Sequence, residues 1–234
     1  MRVAIMQPYL FPYLGYFQLI NTVDCFVIYD NVQFMKGGWI NRNRILYQND
    51  AYMFTFGVRK ASYTLNINER YYSQRYEDDK NDFLRILQLA YRGAPNYSII
   101  SSLVEDILDS NERNVATLNT RSIIKICEYL NIQTKIIYSS KLGNKDLSLK
   151  GQDRVIHMVG EVGGKMYINL IGGTSLYSPQ LFQAHSIGLS FLRMRDVSYK
   201  QFSETHVPCL SILDVLMFNS IDNIKILLGE FELI

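Results

Sequence analysis

The side chains able to handle protons, anions and sugar hydroxyls gather in a few short stretches. The first is Gln7-Pro8-Tyr9-Leu10-Phe11-Pro12-Tyr13-Leu14-Gly15-Tyr16. Two prolines stiffen it, and Pro12 suits the first position of a helix. Gly15 would let a substrate or a strand approach closely, and the amides of a helix start suit a phosphate. Gln7, Tyr9, Tyr13, Gly15 and Tyr16 therefore stand as substrate-binding candidates, beside the plainer reading of a rigid strand-to-helix turn. The second stretch runs from Tyr29-Asp30-Asn31-Val32-Gln33-Phe34 through Gly37-Gly38-Trp39-Ile40-Asn41-Arg42-Asn43-Arg44. Asp30 could bind hydroxyls or act as a base. Gln33, Asn41 and Asn43 supply amides, and Arg42 a guanidinium fit for phosphate or carboxylate. Trp39, the only tryptophan, could stack on a sugar or base. In the third stretch, Gly172-Gly173-Thr174-Ser175, the backbone amides could stabilise an oxyanion.

Of the three histidines, His157 falls in a helical pattern and His185 closes a short helix. His206 precedes Val207-Pro208 in a loop and is the candidate general base, since loops carry catalysis more often than helix faces and imidazole titrates in the useful range. A structural histidine is the competing reading. Asp214 lies in an apolar run, where a buried carboxylate must find donors; orienting His206 is one use for it. Cys209 could accept an acyl group, but no neighbour in sequence activates it. No His, Asp, Glu or Cys spacing points to a metal.

The elements that must position these groups read as α/β. Arg2–Gln7 and Cys25–Tyr29 are short apolar runs of strand type. Tyr13–Val23 between them has helical spacing, which predicts a parallel βαβ unit. A long loop and a hairpin follow, with Ile45–Tyr47 and Met53–Phe56 around Gln48-Asn49-Asp50. Residues 60–131 read as a mostly helical insertion, with helices over Asp82–Tyr91, Ile99–Leu108 and Leu118–Leu130, the last capped by Thr117. Residues 1–59 and 132–234 form the α/β core. It continues as a strand at Lys135–Tyr138, a loop at Ser139–Gly151, a helix at Arg154–Val162 and a strand at Met166–Leu170. A helix at Pro179–His185, a strand at Leu189–Phe191 and a helix at Leu210–Phe218 complete it. The expected fold is a mostly parallel sheet with flanking helices. Ligands of such sheets bind beyond the strands' carboxyl ends, which selects the loops after Gln7, Tyr29, Tyr138, Leu170 and Phe191.

Composition narrows the class. Apolar residues make up 48% of 234, as in a globular protein, and a net charge of +2 leaves no electrostatic footprint for nucleic acid. No apolar run reaches membrane-spanning length. The opening residues read as a strand rather than a signal peptide, and three dispersed cysteines fit a reducing compartment, so a cytoplasmic location is expected.

The motif Gln7-Pro8-Tyr9-x-x-Pro12-Tyr13-x-Gly15-Tyr16, with Tyr29-Asp30-x-Val32-Gln33-Phe34 and Gly38-Trp39-x-Asn41-Arg42-Asn43, resembles the opening of the WbqC-like proteins of bacterial surface-polysaccharide clusters. Ala90-Tyr91, Ala94-Pro95, Ser139-Ser140, Tyr167, Gly172-Gly173 and Leu210–Asp214 extend the resemblance. Thr174-Ser175-Leu176 departs from it. The resemblance implies an enzyme of O-antigen or lipopolysaccharide biosynthesis, a transferase moving an acyl or aminoacyl group to the amino group of a nucleotide-linked amino sugar. The implied partners are a sugar nucleotide and an acyl donor such as acyl-CoA or an acyl carrier protein. Two alternatives stand beside it. Tyr13-Leu14-Gly15-Tyr16 also resembles the HIGH-type signature, with tyrosines in place of histidines, which would imply a nucleotide-binding ligase or nucleotidyltransferase. A non-catalytic sugar-nucleotide-binding scaffold is the other.

Overall fold

The computed structural model describes residues 1–143 and 148–234. Six strands form one sheet: β1 (Arg2–Met6), β2 (Cys25–Ile28), β5 (Lys135–Tyr138), β6 (Met166–Leu170), β7 (Gly188–Met194) and β8 (Phe231–Leu233). Their spatial order is β5-β2-β1-β6-β7-β8. All neighbours are parallel except β7 and β8, which run antiparallel. A separate hairpin joins β3 (Arg42–Tyr47) to β4 (Asp50–Thr55). Gln48 and Asn49 both take positive φ at its turn, as a tight two-residue hairpin loop requires. The helices are α1 (Leu14–Thr22), α2 (Tyr76–Tyr91), α3 (Tyr97–Leu108), α4 (Val115–Tyr129), α5 (Gly151–Glu161), α6 (Pro179–Ala184), α7 (Ile212–Phe218) and α8 (Ile221–Gly229). None of the described helices is long and apolar enough to cross a membrane.

Strand periodicity explains the layers, because successive side chains point to opposite faces. Val3, Ile5, Cys25 and Val27 join Val155, Ile156 and Val159 of α5 and Phe182 of α6 in one buried cluster. The residues between them, Ala4, Phe26 and Ile28, face the larger core with α1, α7 and α8. Helices α2 to α4 belong to that same core through Phe83, Leu87, Ile100, Ile107 and Ile123. Residues 60–131 thus share their apolar interior with one face of the sheet.

Several boundaries differ from the sequence expectation. Arg42, Asn43 and Arg44 lie in a strand rather than a loop, because pairing with Met53, Phe54 and Thr55 overrides their weak strand preference. α2 begins at Tyr76, its first turn carrying Glu77, Asp78 and Asp79 against the positive end of the helix dipole. The α4 cap is Asn114, whose side chain accepts from the Thr117 amide. The loop expected over Ser139–Gly151 opens as a short 3-10 turn at Ser139–Lys141, and residues 144–147 lie outside the described residues.

Candidate functional site

The chain crosses over between β1 and β6: β2 and β5 build the sheet to one side of β1, β6 and β7 to the other. Such a switch point leaves a crevice beyond the strand ends. A cavity of about 670 Å³ occupies that place. Met6 and Gln7 after β1, Tyr29 after β2, and Asn169, Leu170 and Gly172 at the end of β6 and beyond all line it.

The loop after β1 is rigid for identifiable reasons. Phe11 is buried with φ at 47°, a conformation a bulky residue reaches only when held there. Its carbonyl accepts hydrogen bonds from Asn43 Nδ2 and from Ser211 Oγ, both at 2.7 Å. From behind, buried Asn119 of α4 donates to the Pro8 carbonyl at 3.0 Å and the Ile40 carbonyl at 2.7 Å, while accepting from Tyr72 Oη at 2.6 Å. Gly15 does not face the cavity. A Cβ there would lie 2.5 Å from Cε2 of Tyr13, so the missing side chain makes room for the Tyr13 ring. Tyr16, in the place of the second HIGH-type histidine, is wholly buried and donates to the Gln7 carbonyl at 2.9 Å. It has no surface to offer a ligand. Gln7, Tyr9 and Tyr13 do line the cavity. The Tyr13 hydroxyl is pushed up to about 12, first by burial and then by Tyr9 and Cys209 nearby, so it stays a neutral donor at physiological pH.

In the second stretch Trp39 is 41% exposed and lines the cavity, with Arg42 and Arg44 against its ring at 5.7 and 5.5 Å. The Arg42 guanidinium is turned back on the carbonyls of Gly37 and Gly38, and Asn41 Nδ2 donates to Phe56 O at 2.7 Å. Neither lines the cavity. Asn43 does, although its amide nitrogen is committed to Phe11. Gln33 donates to the Tyr63 carbonyl on the surface, away from the cavity. Arg44, the last residue of the stretch expected to hold phosphate or sugar, is the cation that reaches this space. It donates to the Cys209 carbonyl at 3.2 Å, its Nε is buried with no partner, and it has no carboxylate partner among the described residues. Among the described residues, none that lines the cavity is acidic.

Asp30 occupies a different position from the one expected of a base. It is 3% exposed and absent from the cavity lining. Oδ1 accepts from Ser139 Oγ and the Ser140 amide, both at 2.9 Å; Oδ2 accepts from Ser140 Oγ at 2.6 Å and Asn68 Nδ2 at 3.3 Å. The carboxylate ties the end of β2 to the end of β5 and to the 3-10 turn at Ile67–Glu69. On the β6 side Gly172 and Gly173 line the cavity, while Thr174 and Ser175 are exposed beyond it. A Cβ at Gly173 would meet Asn169 Nδ2 at 2.7 Å, so that glycine admits the Asn169 amide. Tyr29, under Arg154 at 5.2 Å, and Tyr177, hydroxyl to hydroxyl with Tyr167 at 3.1 Å, complete the wall. Their position after β2 and β6 was the available signal.

His206 is elsewhere. It lines a second cavity of about 320 Å³, between the end of β7 and the 206–210 segment. Tyr13 and Cys209 line both cavities and form their common wall. Cys209 is exposed, a free thiol, and holds φ at 56°. Asp214, fully buried, fixes this region: it accepts from Tyr91 Oη at 2.8 Å, Tyr199 Oη at 2.6 Å and Gln201 Nε2 at 2.7 Å. Burial raises its pKa, opposed by those hydrogen bonds and by His206. Tyr199 in turn packs edge-on against His206, with centroids 4.7 Å apart.

Known proteins match the chain over nearly its whole length. No solved structure matches the chain significantly. The chain is 30% identical over 223 residues to a protein of Mycobacterium tuberculosis (strain ATCC 25618 / H37Rv) described as "Uncharacterized protein Rv1507c", covering 93% of each chain. The model of the WbqC-like protein family matches residues 7–226, and the chain belongs to that family.

Proposed function

We propose that the protein is a cytoplasmic enzyme of surface-glycan biosynthesis that transfers an acyl or aminoacyl group to the amino group of a nucleotide-linked amino sugar. The observation that carries this reading is the chemistry of the larger cavity. Tyr9, Tyr13, Tyr29, Trp39 and Tyr177 give it aromatic walls, and Arg44 is a cation with no carboxylate beside it. Aromatic faces suit sugar and base rings, and a guanidinium without a carboxylate partner among the described residues suits a diphosphate. The volume is within the usual range for a small-molecule site. The amides of Gly172 and Gly173 are candidate oxyanion donors at the same rim, and His206 is the candidate base on the far side of Tyr13.

The test is binding followed by turnover. Thermal shift with uridine and thymidine diphosphate amino sugars should stabilise the protein, and mass spectrometry should detect an acylated sugar nucleotide when acyl-CoA or acyl carrier protein is added. Stabilisation by ATP with none from any sugar nucleotide would overturn the reading in favour of a ligase. Binding of sugar nucleotides without turnover across acyl donors would leave a scaffold.

A further inference from the structure

The smaller cavity differs from the larger one in a way that bears on the second substrate. Its floor is apolar, formed by Leu14, Val197, Pro208, Leu210 and Val215. Arg195 is paired with Glu230 at 3.6 Å, and Asp196 beside it has no ion pair among the described residues, so the wall carries an excess carboxylate and no cation waits for an anion. Nδ1 of His206 is buried and without a hydrogen-bond partner among the described residues. The wall is also built rather than incidental. Gln201 closes on both the amide and the carbonyl of Val207, at 2.8 and 3.2 Å, while its Nε2 holds Asp214. The segment carrying His206 and Cys209 is therefore fixed from within the core.

We infer that this cavity is the donor subsite and takes the acyl end of an uncharged acyl thioester, with Tyr13 and Cys209 marking where the two substrates meet. The inference rests on the transfer reading above and names the donor's class. A space with an apolar floor, a carboxylate at its wall and no free cation disfavours an acyl phosphate or acyl adenylate, whose charge would find no partner there. In the transfer, the sugar amine in the larger cavity attacks the thioester carbonyl carbon. A C–N bond forms, the C–S bond breaks, and the amine proton passes through the His206 imidazole to the departing sulfur, so the products are an amide and a free thiol.

The experiment uses two probes on the full chain: a uridine diphosphate amino sugar and S-acetyl-N-acetylcysteamine, each followed by saturation-transfer NMR. Ser198→Trp, at an exposed lining position, and Val197→Trp beside it fill only the smaller cavity. Gly172→Trp fills only the larger, where an added Cβ meets nothing within 4 Å. The expected result is a tenfold or greater loss of the acetyl methyl signal in the first two variants, with uridine signals within twofold of wild type, and the reverse in Gly172→Trp. An unchanged acetyl signal in Ser198→Trp overturns the assignment. Wild-type protein that binds the sugar nucleotide but shows no acetyl signal overturns it too, leaving the transfer reading intact. Protein that binds neither probe overturns both.

Discussion

Removing the Asp214 carboxylate tests whether one buried group sets the wall between the cavities. In Asp214→Ala three donors lose their acceptor. Tyr91 is the worst placed: it is fully buried, and its hydroxyl oxygen already accepts the Leu46 amide at 2.8 Å, so its proton has nowhere to turn. An orphaned buried donor costs about 1–3 kcal/mol. Tyr199 lines the smaller cavity and can turn to water, and Gln201 keeps the Val207 carbonyl, so each loses less. The released desolvation of a buried charge offsets part of the total. A net destabilisation of about 3 kcal/mol follows, or a fall in Tm of roughly 6–12 °C for a chain of this size. Asp214→Asn keeps an acceptor on one side and should lose about half as much.

Denaturant unfolding and Cys209 alkylation are the two assays. The Ala variant should lose stability and label faster at Cys209, because the segment between Tyr199 and Cys209 loses its anchor. A variant within 0.5 kcal/mol of wild type, a bound taken from ordinary surface substitutions, would refute the reasoning. A pH series gives a second check. Burial raises the folded carboxyl above its unfolded value of about 3.9. The folded state then holds the proton more tightly, so this group's contribution falls as pH rises from that value through the folded pKa. Below the window the penalty is absent and above it fully present; Asp214→Asn should lack that component.

The other predictions concern the cavity walls and the thiols. Arg44→Met should weaken sugar-diphosphate binding by roughly 10- to 150-fold, the equivalent of one charge-assisted hydrogen bond, measured by calorimetry; an unchanged Kd would remove Arg44 from the site. Native protein should alkylate at Cys209 alone. Cys25 and Cys127 are buried, and burial pushes the Cys127 thiol up to about 12; peptide mapping showing equal labelling of all three would contradict this. Gly15→Ala should displace the Tyr13 ring and cost about 1–3 kcal/mol, as overpacking does; chemical denaturation at wild-type stability would show that the ring moves freely.

The parallel sheet was legible because β1, β2, β5 and β6 are short apolar runs bounded by turns, a pattern that survives without tertiary information. β8 and α8 were not, since Phe231–Leu233 is too short to carry a period and gains its identity only by pairing with β7. At the site, the rule for parallel sheets located the rim, and Gln7, Tyr9, Tyr13, Trp39, Asn43, Gly172 and Gly173 line the cavity there. What the sequence could not settle was the direction each side chain faces. Tyr16 and Asp30 carry the same chemistry as Tyr13 and a free carboxylate, yet one points into the core and the other into a cage of serine and asparagine donors. Arg42 and Arg44 are two residues apart on a strand and face the same side, but Arg42 is spent on glycine carbonyls and Arg44 is left with an unpaired nitrogen.

The helical stretch between β4 and β5 has a part in this that composition alone would not assign to it. Three of its buried or half-buried polar side chains reach the segments behind the cavities: Asn119 on the Pro8 and Ile40 carbonyls, Asn68 on Asp30, and Tyr91 on Leu46 and Asp214. Each reaches a segment far away in the chain, and each places a polar group in an interior where an unsatisfied one is costly. Apolar packing alone would hold these helices against the sheet with some freedom to slide. Directional bonds at three separate points remove that freedom and fix the loops after β1 and β2 and the 199–209 wall in one mutual arrangement. The transfer proposed above needs its two reacting groups held about 3–3.5 Å apart in fixed orientation, and rigidity of this kind serves that need. The helices therefore act as the backing plate of the site, and their polar contacts, more than their apolar faces, connect them to its chemistry.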